Sequence, residues 1–253
     1  MSEQTNNTGR LAGKIALVTG SSRGIGAHIA KAYVREGAEV VVTYCNSPDE
    51  ANAVAQEIGA QAPVRLDVCD KASIEAAMRV VAERHGHLDI LVNNAGINIT
   101  GDFDMITDEA WDAVIDTDLK GVFLCSQAAL PLLSDGGRVI NVGSLSGEYG
   151  GPRTPSYAAA KAGVMALTHC MARFVAQRGI TVNCLSPGVI DSDLTSESMP
   201  PFLKEKILPL ILNGRLGRYE ELDEAAIFLA SKESSYITAQ TISVNGGAWV
   251  RIL

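Results

Sequence analysis

The chain of 253 residues is long enough for one large α/β domain or two small ones with a substantial core. Its 21 basic and 29 acidic side chains give a net charge of −8, which argues against a surface for nucleic acid or anionic membranes. Five scattered cysteines without a C-x-x-C motif are typical of reduced thiols in a cytoplasmic protein, and no apolar run approaches the roughly 18 residues that cross a bilayer.

Short β-branched runs alternate with longer helical patterns, which is typical of βαβ units and a parallel sheet. The predicted strands are Lys14–Thr19, Glu39–Tyr44, Ala62–Leu66, Leu88–Val92, Gly137–Val142, Thr181–Leu185 and Thr241–Val244. The predicted helices are Ile25–Glu36, Asp49–Ile58, Lys71–Arg84, Asp108–Leu133, Ser156–Arg178 and Glu221–Ala230. No linker or repeat separates these units, so we predict one domain over residues 13–253 after a polar, flexible tail over residues 1–12. The alternation fits a TIM barrel as well as an open doubly wound sheet.

The long break in this alternation spans residues 190–216 and carries Pro200, Pro201 and Pro209 among apolar residues. An insertion of this length in a compact domain predicts a substrate lid or binding loop. A surface excursion that packs its own small apolar cluster is the alternative.

Three glycines lie between the first strand and the first helix, in the segment Thr19–Gly26. Gly20, Gly24 and Gly26 would permit a tight turn and a close approach of a pyrophosphate to the helix N-terminus. The spacing G-x-x-x-G-x-G differs from the G-x-G-x-x-G fingerprint and from a P-loop. A glycine-rich turn without a ligand therefore stays open at this point.

The end of the second strand, Tyr44–Ser47, carries no acidic residue. A carboxylate there would hydrogen-bond a ribose 2′-hydroxyl and favour NAD. Without it, Arg23 in the glycine loop and the side chains of Asn46 and Ser47 are available to contact a 2′-phosphate. The sequence therefore favours NADP(H) over NAD(H), and a merely solvated Arg23 is the alternative.

Tyr157 and Lys161 are four residues apart in an alanine-rich helical segment, which places them on one helix face. A lysine ammonium beside the phenol would lower its pKa from about 10 toward working pH, where a proton donor and acceptor is most effective. Tyr157 is the predicted acid/base. A surface pair is the alternative that this spacing alone leaves open.

The glycine loop and the Tyr157–Lys161 pair occur with three further motifs, in order, that together resemble the short-chain dehydrogenase/reductase family. These motifs are Asn93–Gly96 after the fourth strand, Ser144 after the fifth and Pro187-Gly188 after the sixth. The resemblance covers residues 13–249 and implies a single Rossmann-type doubly wound α/β domain with a seven-stranded parallel sheet flanked by helices. Within the family the chain most resembles the 3-oxoacyl-carrier-protein reductase branch, in the segments Gly179–Asn183, Arg215–Arg218 and Thr241–Gly247.

The resemblance also implies roles for single residues. Tyr157 would protonate the carbonyl oxygen during reduction, Lys161 would tune it and bind the nicotinamide ribose, and Ser144 would polarise the carbonyl. Ser146 is a rival for the last role, but its spacing to Tyr157 is unsuitable. The predicted cofactor-binding residues are Gly20, Ser22, Arg23, Gly24, Ile25, Gly26, Tyr44, Asn46, Ser47, Asp67, Val68, Asn94, Ala95, Gly96, Tyr157, Lys161, Pro187, Gly188, Ile190 and Ser192.

One catalytic position departs from the family pattern. Asp116–Phe123 matches a family segment whose third residue is normally Asn, and here that residue is Asp118. In the family, the backbone carbonyl at this position helps to hold a water that joins the lysine to bulk solvent. A carboxylate near Lys161 would stabilise the ammonium and partly cancel its effect on Tyr157, which predicts an altered proton relay. The alternative is that Asp118 faces solvent or caps a helix break.

The predicted function is NADP(H)-dependent reduction of a ketone, a 3-oxoacyl thioester or a polyketide-like carbonyl, to a secondary alcohol. A secondary-alcohol dehydrogenase of the sugar or steroid type is one alternative, and a non-catalytic NADP(H)-binding regulatory protein is another. The four histidines lie away from every motif, so no metal site is predicted.

The resemblance implies two kinds of protein partner. Carrier-protein docking in the 3-oxoacyl branch uses basic residues; Arg178 matches one such position, whereas Asp135 occupies the other and would repel an acidic carrier protein. The helices Asp108–Leu133 and Ser156–Arg178 resemble those through which the family dimerises, which predicts a homodimer or homotetramer.

Overall fold

Seven parallel strands form one sheet in the order β3-β2-β1-β4-β5-β6-β7 in the computed structural model, which describes residues 9–191 and 205–248. The strands are β1 (Ile15–Val18), β2 (Glu39–Tyr44), β3 (Val64–Arg65), β4 (Leu88–Asn93), β5 (Leu133–Val142), β6 (Thr181–Pro187) and β7 (Thr241–Val244). The order runs from β3 to β7 without closing, which confirms the doubly wound sheet and excludes the TIM barrel. It reverses between β1 and β4, where open α/β sheets form a ligand crevice.

Helices cover both faces of the sheet. They are α1 (Gly24–Arg35), α2 (Pro48–Ile58), α3 (Lys71–His85), α4 (Asp108–Ile115), α5 (Gly121–Ala129), α6 (Leu145–Tyr149), α7 (Pro155–Val175) and α8 (Glu220–Ala230). Because successive strand residues point to opposite faces, Leu91 joins the core under α3, α5 and α7, while its neighbours Ile90 and Val92 join the core under α1 and α8. Burial on both faces explains why the strands read as continuous apolar runs.

The helix predicted over Asp108–Leu133 is wrong in its interior and at its end. A π-helical turn, Asp116–Lys120, separates α4 from α5, and Leu133 begins β5, four residues before the predicted strand. The π-turn widens the helix while keeping its direction, so the hydrophobic pattern continues through it. The helix predicted over Ser156–Arg178 ends in a 3₁₀ turn, Ala176–Arg178, which is followed by Gly179 at φ 65°.

The described residues include part of the predicted N-terminal tail and part of the predicted lid. Leu11 is fully buried and its amide donates to the carbonyl of Glu36 at 2.9 Å, so the tail predicted to residue 12 is too long. Residues 192–204 of the predicted lid lie outside the described residues. In its described part, Ile211 and Leu216 pack with Leu145 of α6 in a small apolar cluster. No helix in the described ranges is long and apolar enough to cross a membrane.

Candidate active site

The N-terminus of α1 is open to an anion. Arg23 precedes the helix without a side-chain capping bond, and no acidic residue lies in the first turn. The first amides of a helix have no partner within the helix and carry its positive dipole end, so they suit a phosphate. Gly20 and Gly24 have positive φ angles of 63° and 58°, as the tight turn requires.

Residues that sequence reasoning missed hold the glycine loop in place. Thr43 of β2 accepts the amide of Gly20 on Oγ1 at 3.1 Å and the amide of Ser21 on its carbonyl at 3.0 Å. Thr19 Oγ1 accepts the amides of Asn94 and Ala95 at 2.9 and 3.0 Å. Both threonines lie at the ends of predicted strands that are rich in β-branched residues. In such a strand, the sequence pattern does not distinguish a threonine that forms a functional hydrogen bond from one that only packs.

The side chain of Asn94 supports the glycine loop. Its Nδ2 donates to the carbonyls of Thr19 and Gly20, each at 3.0 Å. A Cβ at Gly26 would lie 2.4 Å from that nitrogen, so Gly26 is needed for the close packing of the loop on β4. Asn94 therefore fixes the position of the glycine loop.

Five of the predicted cofactor-binding residues, from Tyr44 to Val68, lie near the ends of β2 and β3. Tyr44 ends β2, Asn46 is exposed, and Ser47 precedes α2 without a side-chain capping bond. Asp67 Oδ1 accepts the amide of Cys69 at 3.0 Å, whereas Val68 is buried in the core. Of the remaining loop residues, Arg23 is exposed, Ser22 is half-buried and Ile25 packs on the core under α1 and α8.

Ser144 lies two residues after the end of β5 and caps the N-terminus of α6. Its Oγ accepts the amide of Ser146 at 3.1 Å. A Cβ at Gly147 would lie 2.7 Å from the carbonyl carbon of Lys161, so α6 packs directly on the backbone of α7. This packing brings the helix that Ser144 caps against the helix that carries Tyr157 and Lys161.

Lys161 is buried and its charge lies close to Tyr157. Nζ donates to the carbonyl of Val142 at 3.0 Å and lies 5.5 Å from the ring centre of Tyr157. The alternative of a surface pair is therefore wrong for this lysine. Burial disfavours the ammonium, but the charges of Asp118 and Tyr157 outweigh burial and raise the pKa of Lys161.

Asp118 lies in the π-helical turn and is fully buried. Its Oδ2 is 3.1 Å from Lys161 Nζ, an ion pair without a well-aligned hydrogen bond, and its Oδ1 accepts the amide of Ile97 at 2.8 Å. A Cβ at Gly96 would lie 2.6 Å from Oδ2, so a glycine is needed there. Burial raises the pKa of the Asp118 carboxyl, against the opposing effects of Lys161 and the Ile97 amide. The alternative that Asp118 faces solvent is wrong.

The loop after β6 is held against β7. The Gly188 amide donates to the carbonyl of Val244 at 2.9 Å, and a Cβ on Gly188 would lie 2.6 Å from the Cα of Asn245. Pro187 ends β6 and Ile190 is buried, whereas Ser192 lies outside the described residues.

Known proteins are similar to this chain in both sequence and fold. A family model described as "Enoyl-(Acyl carrier protein) reductase" matches residues 20–248. The solved structure of a Serratia marcescens short-chain dehydrogenase/reductase superposes with a TM-score of 0.89 at 35% identity, covering 94% of this chain and 99% of that one. The chain belongs to the short-chain dehydrogenase/reductase family.

Two further relatives of this short-chain dehydrogenase/reductase are named for their reactions. The 3-oxoacyl-[acyl-carrier-protein] reductase FabG of Staphylococcus aureus is 44% identical over 243 residues, which cover 94% of this chain and 98% of the relative. The angucycline C-6 ketoreductase LanV, solved with bound NADP, is 33% identical with a TM-score of 0.89, covering 96% of this chain and 98% of that one.

Two of the four histidines of this short-chain dehydrogenase/reductase, His28 and His87, have close side-chain partners outside the Tyr157–Lys161 pair. His28 stacks on Tyr219 with ring centres 4.3 Å apart, and His87 Nε2 lies 3.2 Å from Asp89 Oδ2. Over residues 9–191 and 205–248, no group of three or more metal-binding side chains comes together. The groups that converge near Lys161 are instead a phenol, an ammonium and a carboxylate, which suit proton transfer.

Proposed function

We propose that the protein is an NADP(H)-dependent ketoreductase that converts a ketone to a secondary alcohol, with Tyr157 as general acid. The observation that carries this proposal is the buried ammonium of Lys161 at 5.5 Å from the ring centre of Tyr157. FabG, named for 3-oxoacyl reduction, and LanV, a ketoreductase with bound NADP, support the reaction class and the cofactor.

The chain's own residues fit a nicotinamide dinucleotide phosphate. The uncapped amides of α1 suit the pyrophosphate, and the segment Tyr44–Ser47 at the end of β2 contributes no carboxylate of its own, which suits a 2′-phosphate. Arg23, exposed beside the loop, adds a positive charge. When bound, the cofactor supplies the hydride.

The proton comes from the protein. Tyr157 donates its phenolic proton to the carbonyl oxygen as negative charge develops there, and the Lys161 ammonium stabilises the phenolate left behind. Because Ser144 Oγ already accepts the Ser146 amide, its own proton is free to be donated to the same carbonyl oxygen. Tyr157 regains a proton from solvent for the next turnover, and until then the Lys161 ammonium, which lies beside Asp118, stabilises the phenolate.

Cofactor binding and turnover test this function with separate measurements. We expect tighter binding of NADPH than of NADH, and NADPH consumption with short 3-oxoacyl thioesters or members of a ketone panel. Tyr157→Phe should keep NADPH binding and lower kcat at least a hundredfold, because it removes the donated proton. Tyr236→Phe, at a fully exposed tyrosine, is the matched control. Unchanged turnover in Tyr157→Phe contradicts the proposed acid.

The substrate is proposed to be a free thioester or a polyketide-like ketone and not a carrier-bound acyl chain. Arg178, the predicted docking residue, donates from Nε to Asp135 Oδ1 at 2.9 Å and from Nη1 to the Leu130 carbonyl at 2.9 Å. Its charge is thereby paired, so an acidic carrier protein gains little from it. Asp135→Arg should raise kcat/KM for carrier-bound substrate only. A higher kcat/KM for the carrier-bound than for the free thioester in the parent would contradict the proposal.

The Asp118–Lys161 ion pair is the observation that favours the non-catalytic alternative. An ammonium whose charge is balanced by a carboxylate stabilises the Tyr157 phenolate less. A regulatory protein would bind NADPH and consume none with any ketone or thioester. A secondary-alcohol dehydrogenase would use the same residues in reverse, and faster NADP⁺ reduction with sugar or steroid alcohols than ketone reduction would identify it.

A further inference from the structure

Glu148, in the short helix α6 that Ser144 caps, connects this helix to the strands β6 and β7. Its Oε1 accepts hydrogen bonds from Ser186 Oγ at 2.5 Å and from Ser243 Oγ at 2.7 Å. The two serines are direct partners in the register of β6 and β7, so one carboxylate oxygen holds both strands. Glu148 follows Ser144, the N-cap residue of α6, by four residues, which is about one turn along the helix that Ser144 caps.

The short helix depends on its contacts for its position. Five residues are too few for a helix that is stable on its own. On one side Gly147 packs against the backbone of α7, and on the other side Glu148 bonds to the sheet. Ser186 is fully buried and directly precedes Pro187, which is one of the predicted cofactor-binding residues. The Glu148 carboxylate therefore links the segment that carries Ser144 to the ends of β6 and β7.

We propose that Glu148 is a positioning residue that sets the Ser144 hydroxyl against the substrate carbonyl by fixing α6 on β6 and β7. This inference rests on the proposed ketoreductase function. The role needs an acceptor oxygen at the place of Oε1 and no negative charge, because both serines donate to that one atom. A glutamine supplies the same acceptor, whereas an alanine does not.

Kinetics of four variants test this role. Glu148→Ala should lower kcat for ketone reduction about tenfold, since a misplaced hydroxyl loses alignment, with NADPH affinity within about twofold of the parent. Glu148→Gln should restore most of the rate. In a Ser144→Ala background, adding Glu148→Ala should lower the rate little further, because the hydroxyl that Glu148 positions is gone. A Glu148→Gln loss equal to that of alanine, or multiplicative losses in the double variant, overturns the proposal.

Hydrogen–deuterium exchange separates this inference from the proposed function. Amides of residues 144–150 should exchange about tenfold faster in Glu148→Ala than in the parent, and at the parent rate in Glu148→Gln, because α6 loses its bond to the sheet. If the parent reduces no ketone, the proposed function fails while this measurement still decides whether Glu148 fixes α6. Unchanged exchange in the alanine variant, with the thermal midpoint of the parent, overturns the positioning role.

Discussion

Asp118→Asn should move the pH–rate profile of alcohol oxidation to lower pH. The Asp118 oxygen lies 3.1 Å from Lys161 Nζ, which is itself 5.5 Å from the Tyr157 ring centre. The carboxylate is therefore at most about 9 Å from the ring, and at an effective dielectric constant of about 20 it opposes the phenolate by about 2 kcal/mol. Removing that charge should lower the acid-side midpoint of the oxidation rate by about 1.4 pH units.

The profile is measured as kcat/KM for oxidation of the alcohol product over the full pH range, in parent and variant. Asn keeps an acceptor for the Ile97 amide at nearly the same shape, and NADP⁺ binding with the thermal midpoint reports whether the fold is intact. Asp116→Asn is the matched control, since Asp116 lies in the same π-turn but pairs with Lys120 at the surface. Superimposable profiles of parent and Asp118→Asn would refute the electrostatic reasoning.

Three other substitutions follow from the packing. Gly96→Ala would place a Cβ 2.6 Å from Asp118 Oδ2, so we expect at least a tenfold loss of kcat while the global fold, checked by circular dichroism, is retained. Asn94→Ala removes both hydrogen bonds to the glycine-loop carbonyls; titration should show weaker NADPH binding, and denaturant unfolding a loss of about 2 kcal/mol. Tyr33→Phe removes a buried hydrogen bond to a carbonyl of α8, far from the site, and should cost about 1 kcal/mol of stability without a change in kcat.

Much of the fold follows from sequence because strand ends of a parallel sheet meet at one edge. The glycine loop after β1, Asn93–Gly96 at the end of β4, Ser144 after β5 and Pro187 at the end of β6 each occupy such an end. Their order along the chain therefore predicts a single crevice. The alternation of strands and helices predicts that helices cover both faces of the sheet.

The sequence did not predict the parts of the site that depend on local geometry. The π-turn at Asp116–Lys120 has no compositional signal, because one turn of wider helix preserves the apolar pattern on either side. The helix α6 is too short for a periodicity to show, and its start is defined by the Ser144 side chain. The loop-holding hydroxyl of Thr43 reads as an ordinary strand residue.

The raised pKa of Asp118 should also change the ratio of Asp118→Asn to parent oxidation rates at acid pH. Burial raises the pKa of this carboxyl above its ordinary 3.8, so on lowering the pH the carboxyl gains its proton before an exposed aspartate does. Once protonated, the parent carries no charge opposite Lys161 and behaves like Asp118→Asn. Without this titration, the ratio of variant to parent oxidation rates would rise to about twentyfold and stay there at low pH. With it, the ratio passes through a maximum and falls back toward one on the acid side. A ratio that stays at its plateau down to the acid limit of the folded protein would show that Asp118 remains ionised throughout, and that its pairing with Lys161 outweighs its burial.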